Sequence, residues 1–209
     1  MTLETSRGLV LRTRPLTETS LIIHWLTPDL GRLATVAKGA RRPKSPFRGK
    51  LDLFYEAEFS FTRSRISELH NLREASLIET NGFLRRDLSA LQRVSYAAAL
   101  LEQTTETETP LPGLYQLISE LVRFLQIKPD APQAVPVFEL KLLDHLGLMP
   151  DLGNSHLLQG TKILMAKLAG SPWDDLARLK LSSAQEEEIR RYLHGFLIYQ
   201  FGRLPRTRA

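Results

Sequence analysis

The 209-residue chain reads as an α+β protein, with a small antiparallel β-barrel over residues 1–80 followed by an α-helical domain over residues 81–209. Three observations predict this. The first eighty residues break into about five short runs of strand pattern, with no helical period long enough to compete. After Asn81-Gly82 the apolar spacing changes to three and four. Between two of the strand-like runs lies a loop, Lys38 to Lys50, that carries Lys38, Arg41, Arg42, Lys44, Arg48 and Lys50 and no acidic residue.

The elements follow in order. Arg7 to Arg14 is a first strand, expected to turn Leu9 and Leu11 inward and Val10, Arg12 and Arg14 outward, and Pro15 ends it. Leu21 to Leu26 is apolar on both faces and reads as a central strand; Trp25 reads as core, with base stacking as the alternative, and His24, a lone histidine with no partner in the sequence, is given no ligand role. Thr27 to Gly31 forms a turn, and Arg32 to Ala37 a third strand. Gly39, Pro43, Pro46 and Gly49 then interrupt any regular pattern, so the six cations sit on a loop. Leu53 to Phe61 alternates, with Leu53, Tyr55, Ala57, Phe59 and Phe61 on one face, and Ile66 to Thr80 supplies one or two more strands. Closing such a sheet into a barrel removes its sticky edges. Among small five-stranded barrels, the oligonucleotide-binding fold (OB-fold) takes ligands across one sheet face and its flanking loops, where Arg12, Arg14 and the basic loop are expected to lie.

In the second half, Leu84, Leu88, Leu91, Val94, Ala98 and Leu101 mark an amphipathic helix ending near Glu106. Leu114 to Ile127 is a second helix, Val135 to Leu146 a third, and Thr161 to Ala169 and Trp173 to Leu179 are short pieces. Ser183 with Glu186 reads as a capping box opening a last helix that runs to about Gly202. Arg203, Arg206 and Arg208 follow it.

A net charge of +5 favours an anionic partner weakly; the clustering of the cations says more. Six like charges on one loop repel one another, which a bound polyanion relieves; a merely solvated loop is the alternative. The chain has no cysteine, which excludes disulfides and thiolate zinc sites. There is no run of eighteen apolar residues and no signal-peptide layout, so the expectation is a cytoplasmic protein with no membrane role. His24, His70, His145, His156 and His194 lack metal spacing, and no phosphate loop or nucleophile elbow occurs, so no catalytic residue, cofactor or enzymatic activity is assigned. His145 and His156 with Asp144 and Asp151 are the only conceivable metal ligands, and no metal is expected. The candidate phosphate contacts are Arg12, Arg14, Arg32, Lys38, Arg41, Arg42, Lys44, Arg48, Lys50, Arg203, Arg206 and Arg208. Phosphate contacts alone leave DNA, RNA and an acidic protein tail on an adaptor module all open.

The stretch GLVLRTRPLTETSLIIHWLTPDLGRLATVAKGARRPKSPFRGKLDLF resembles the N-terminal domain of the bacterial DNA repair and recombination protein RecO family. The likeness rests on Arg14 to Glu18 in slightly altered spacing, Thr27, Gly31-Arg32, Lys38-Gly39-Ala40-Arg41, Phe47-Arg48-Gly49, Leu51 and Phe54. It resumes at Phe138 to Leu143, at Leu146-Gly147 with Pro150, and at the end of the last helix. One departure is plain. Many members carry a four-cysteine zinc module after the position of Pro150, whereas here the region near 150–160 leads almost directly into a helix, as a degenerate, metal-free remnant. The resemblance implies a recombination mediator that binds single- and double-stranded DNA, anneals complementary strands and assists RecA loading in the RecF pathway, with a nucleoid-associated location. The implied partners are RecR, the C-terminal tail of single-stranded-DNA-binding protein, RecF and RecA. For the tail, Phe138, Lys141, Leu142 and His145 form a candidate stripe on the third helix, with a plain core stripe as the alternative.

Overall fold

The computed structural model describes residues 2–205, in which β1 (Leu3–Pro15), β2 (Leu21–Thr27), β3 (Gly31–Ala37), β4 (Glu56–Thr62) and β5 (Leu69–Glu79) close into a barrel in the order β1-β2-β3-β5-β4. All neighbours are antiparallel except β3 and β5, which pair in parallel over Ala34–Val36 and Leu69–Asn71. This is the predicted α+β architecture, an OB-type barrel followed by helices.

The interior is built on one aromatic stack. Trp25 and Phe59 lie face to face with ring centroids 4.1 Å apart, and Phe61 continues the row to His70. Trp25 is fully buried, and its Nε1–H donates to Thr35 Oγ1 at 2.8 Å, so the indole leaves no orphan donor in the core. Gly8 permits the stack, because a Cβ there would press on both rings. Val10, Ile23, Leu33, Ala37, Ala57, Leu72 and Ala75 fill the space around it.

The inward face of β1 differs from the expected one. Val10 points into the barrel, whereas Leu9 and Leu11 are buried outside the interior cluster. Gly8 and Val10 share the inward face by the ordinary two-residue period, with Gly8 set against the Trp25 and Phe59 rings, and a bulge follows between Val10 and Arg12. The start of β4 also moves. Phe54 adopts a left-handed backbone (φ 60) and is pinned there: its N–H donates to Val10 O, and its carbonyl accepts from Asn81 Nδ2, each at 2.8 Å. The strand therefore begins at Glu56, and Leu53 lies outside it. A single strand, β5, covers the Ile66 to Thr80 region, leaving Ile66 97% exposed before it.

The chain folds as two compact units, and the division is not a single cut near residue 80. Thr105–Tyr115 returns to the barrel unit, while Phe83–Thr104 joins the later helices. This strap is tied down at several points. Arg32 donates through Nε to Thr105 Oγ1 at 2.7 Å and also to the Thr105 carbonyl, and Glu108 N–H donates to Arg32 O at 2.6 Å. Glu108 accepts from Arg63, and its Oε1 lies 2.7 Å from Nε2 of buried His70, while Ser64 N–H donates to the other ring nitrogen at 3.2 Å. Neutral His70 therefore carries its proton on Nε2. Tyr115 and Arg7 both donate to Glu56.

The helical unit comprises α1 (Leu88–Thr104), α2 (Leu114–Ile127, joining from Gln116), α3 (Ala134–His145), α4 (Gln159–Gly170), α5 (Trp173–Leu176) and α6 (Ser183–Phe201). α1 starts later than expected because Asp87 caps it, accepting from Ala90 N–H at 2.9 Å, and Leu88 is left 68% exposed. α3 is the hub, packed by α1, α4 and α6. Its Glu139 is fully buried and accepts from Tyr96 Oη at 2.5 Å. α6 opens with a capping box one residue earlier than expected, on Ser182 and Gln185. The 150–158 segment is a short self-bonded loop in which Asp151 accepts from Gly153 N–H and Asn154 Nδ2. No helix among the described residues is long and apolar enough to cross a membrane. No group of three or more His, Cys, Asp or Glu among them could hold a metal ion.

Gly31 joins β3 to the strap. It has φ +68, and a Cβ there would overlap the carbonyl of Thr109. Gly31→Ala is expected to cost at least about 2 kcal/mol, from backbone strain and the displaced strap together. The urea midpoint of the variant checks this, and a midpoint equal to the parent's contradicts it.

Candidate nucleic-acid interface

The segment between β3 and β4 is not an open loop but a chain of successive tight turns. Backbone N–H groups of Ala40, Arg42, Ser45, Arg48 and Lys50 donate to the carbonyls of Ala37, Gly39, Arg42, Ser45 and Phe47, at 3.0 to 3.3 Å. Each bond spans three residues, so the backbone folds back on itself where its glycines and prolines allow. Phe47 drops from this chain of turns into the barrel. It is 7% exposed and belongs to the interior cluster, with Ala40, Leu51 and Tyr55 packed against the same cluster. The basic segment thus fills one end of the barrel with its apolar residues and presents its charged ones to solvent.

A second attachment comes from the β1–β2 turn. Arg41 N–H donates to Thr19 O at 3.0 Å, and its guanidinium donates to Thr17 O at 3.2 Å. Thr17 Oγ1 accepts from the N–H groups of Thr19 and Ser20, which fixes that turn in place. Arg48 reaches back to Pro43 O at 3.3 Å. These bonds engage a fraction of each guanidinium's five donors, so both keep N–H groups for a ligand.

The candidate cations separate by position. Lys38, Arg41, Arg42, Lys44 and Arg48 are exposed on the turns, with Lys50 half-buried behind them, and Arg14 is exposed at the end of β1. Together they form a ledge without an acidic residue between Lys38 and Lys50. Arg12 and Arg32 do not belong to it in the way the sequence suggested. Arg12 is half-buried with its Nε shielded from solvent, and Arg32 is held on Thr105. His24 stands beside Arg12, Arg14 and Arg32. Burial, and then those three charges, push it down to about 4, so it adds no positive charge at neutral pH. Arg203 is exposed beyond α6 in the helical unit, with its carbonyl accepting from Gln103 Nε2 at 2.6 Å. Arg206 and Arg208 lie outside the described residues.

The tail-docking stripe on α3 needs correction. Phe138 and Leu142 are completely buried and form core, so neither lines a groove. His145 is exposed at the helix end. Lys141 is half-buried, and its Nζ donates to Ala169 O and Ser171 O at 3.0 and 2.9 Å, satisfying carbonyls at the C-terminal end of α4. Burial lowers its pKa. Beside it is a cavity of about 240 Å³ lined by buried Phe124 and Trp173 and by exposed Ile127, with Arg123, Glu120 and Asp174 also on its wall. Sequence periodicity places the partner residues on α3; the cavity is made by α2 and the α5 region, which only the tertiary packing brings together. Phe47 enters the sequence analysis only through the family likeness and is given no site role there, although a lone aromatic inside a charged segment is the signal that could have found one.

Two family models match the chain, one described as Recombination protein O N terminal over residues 1–81 and one as Recombination protein O C terminal over residues 85–159. The DNA repair protein RecO of Listeria monocytogenes serotype 4b (strain CLIP80459) is 29% identical over 150 residues, covering 72% of this chain and 58% of the relative. That of Exiguobacterium sibiricum is 32% identical over 150 residues, covering 72% and 59%. That of Bacillus pumilus is 31% identical over 147 residues, covering 70% and 57%. The chain thus spans less than two thirds of the length of these relatives.

If the ledge binds phosphates, replacing Arg41, Arg42, Lys44 and Arg48 together by Gln weakens binding of every nucleic-acid sequence alike. The slope of log K against log salt falls by roughly 0.7 to 0.9 for each phosphate no longer neutralised. Fluorescence anisotropy with labelled oligonucleotides over a salt series reads both, with circular dichroism as the control for folding. Affinity and slope equal to the parent's contradict the assignment.

Proposed function

The chain belongs to the recombination protein O family, and from that membership and the basic ledge we propose that it is a DNA-binding recombination mediator in DNA repair. It binds single- and double-stranded DNA through phosphates, anneals complementary strands and assists RecA loading in the RecF pathway. The observation that carries this reading is the array of exposed cations on turns fastened to the barrel end. Such an array neutralises phosphate charge and releases counterions without reading bases. Annealing asks for little more, because two complementary strands repel one another until their charge is screened. The reading requires no bond making or breaking, and the protein acts as a binding protein rather than an enzyme, working at the nucleoid.

RecR, RecF, RecA and single-stranded-DNA-binding protein are the partners this role calls for. For the acidic, apolar C-terminal tail of the last of these, the cavity beside Lys141 is the better candidate than the α3 stripe. Its apolar lining of Phe124, Ile127 and Trp173 has room for about one large side chain, with Arg123 available to a carboxylate and Lys141 already held on the end of α4. Because Lys141 also closes α4, its reversal would disturb folding, and Arg123 is the cleaner probe.

Annealing of complementary oligonucleotides, naked or coated with single-stranded-DNA-binding protein, tests both parts. The parent protein is expected to speed both reactions, and Arg123→Glu to keep the naked reaction while slowing the coated one several-fold. No acceleration of naked strands by the parent overturns the mediator reading. Equal rates for the variant on coated strands move the partner site elsewhere.

A further inference from the structure

We infer that Phe47 is a positioning residue for nucleic-acid binding: by plugging the barrel end it holds the cations of the β3–β4 turns at fixed spacing, without itself touching the ligand. The inference rests on the ledge being the nucleic-acid site. Three observations lead to it. Phe47 is the one aromatic side chain between Lys38 and Lys50, and it is 7% exposed among cations that are mostly solvent-facing. It joins the interior cluster that contains Trp25 and Phe59, so the rigid core of the barrel and the ledge share a side chain. The turns on both sides close on it: its carbonyl accepts from Lys50 N–H at 3.1 Å, and its N–H donates to Ser45 Oγ at 3.2 Å.

The physical consequence follows from the charge pattern. Like charges on one short segment repel, and a segment held only by isolated turns would spread and sample many arrangements. Binding a phosphate chain would then have to order the segment, and that cost would be subtracted from the affinity. A buried phenylalanine removes the freedom beforehand. It also restricts the backbone of the neighbours, because Ser45 and Arg48 belong to turns that close on Phe47 and on each other. The number of phosphates neutralised is set by the cations, and the free energy of reaching them by the plug.

This separation makes the role testable. Phe47→Ala and Phe47→Leu are compared with the parent protein for binding of labelled single-stranded DNA over a salt series, with amide hydrogen exchange of the same variants. Phe47→Ala is expected to bind about tenfold more weakly at every salt concentration with the slope of log K against log salt unchanged, because the cations remain but must be ordered on binding. Exchange of the Arg42, Ser45, Arg48 and Lys50 amides should quicken in the free variant. Phe47→Leu, which still fills the barrel end, should keep most of the affinity and protection, and carries the test if the alanine variant does not fold. Folded Phe47→Ala with the parent's affinity, or a variant whose salt slope falls as though fewer phosphates were neutralised, overturns the positioning role. Salt-independent or absent binding by the parent protein itself overturns the ledge as the site, a result separate from any difference between variants.

Discussion

A five-stranded barrel closes its edges but not its ends, and an end left open exposes the aromatic interior to water. In this protein one end is filled by the segment that also carries the densest positive charge. Phe47, Ala40, Leu51 and Tyr55 turn inward to meet the cluster around Trp25 and Phe59, and Arg41, Arg42, Lys44 and Arg48 are left pointing out. Burying one phenylalanine contributes about 1.5 to 3 kcal/mol. Repulsion between two exposed cations about 8 Å apart in water is only about 0.5 kcal/mol before salt screens it further. The apolar plug therefore outweighs the repulsion of its immediate neighbours, and a basic ledge can stay ordered with no ligand bound.

The other constraint on the barrel is the strap. Arg32 and Arg63 look in sequence like two further cations of a basic protein, yet Arg32 is held by Thr105, and Arg63 lies between Glu4 and Glu108. Guanidinium groups engaged through two or more N–H groups, as these are, are largely withheld from a phosphate chain, whereas Arg41 and Arg48 each spend one side-chain bond on a carbonyl. The distinction between structural and available charge narrows the candidate interface to the turns after β3 and to Arg14.

Much of this was legible in the sequence where a period was long and unbroken. The five strands, the change of period after residue 82 and the leucine face of α2 all depend on local patterns, and each is present in the fold. The basic segment was legible as a loop from its glycines and prolines. The failures fall where a single residue alters the count or where distant segments meet. On β1 the small Gly8, set against the aromatic stack, fixed the inward face on Gly8 and Val10 instead of the leucines, and one left-handed residue, Phe54, delayed β4. On α3, apolar spacing located a stripe but could not tell a groove from a core, and Phe138 and Leu142 belong to the core. The strap could not be read at all. TETETPLPG looks like a linker, and its attachment depends on Gly31, Arg32, Arg63 and His70 far upstream.

Mediator activity of the kind proposed depends on the ledge being where nucleic acid binds. Titrating the ¹⁵N-labelled protein with a short single-stranded oligonucleotide and following every backbone amide tests that most directly. The largest shifts are predicted to run from Lys38 to Lys50 and to extend to Arg14 and the Thr17–Ser20 turn. Shifts confined to the helical unit, with Lys38 to Lys50 unmoved, would contradict it.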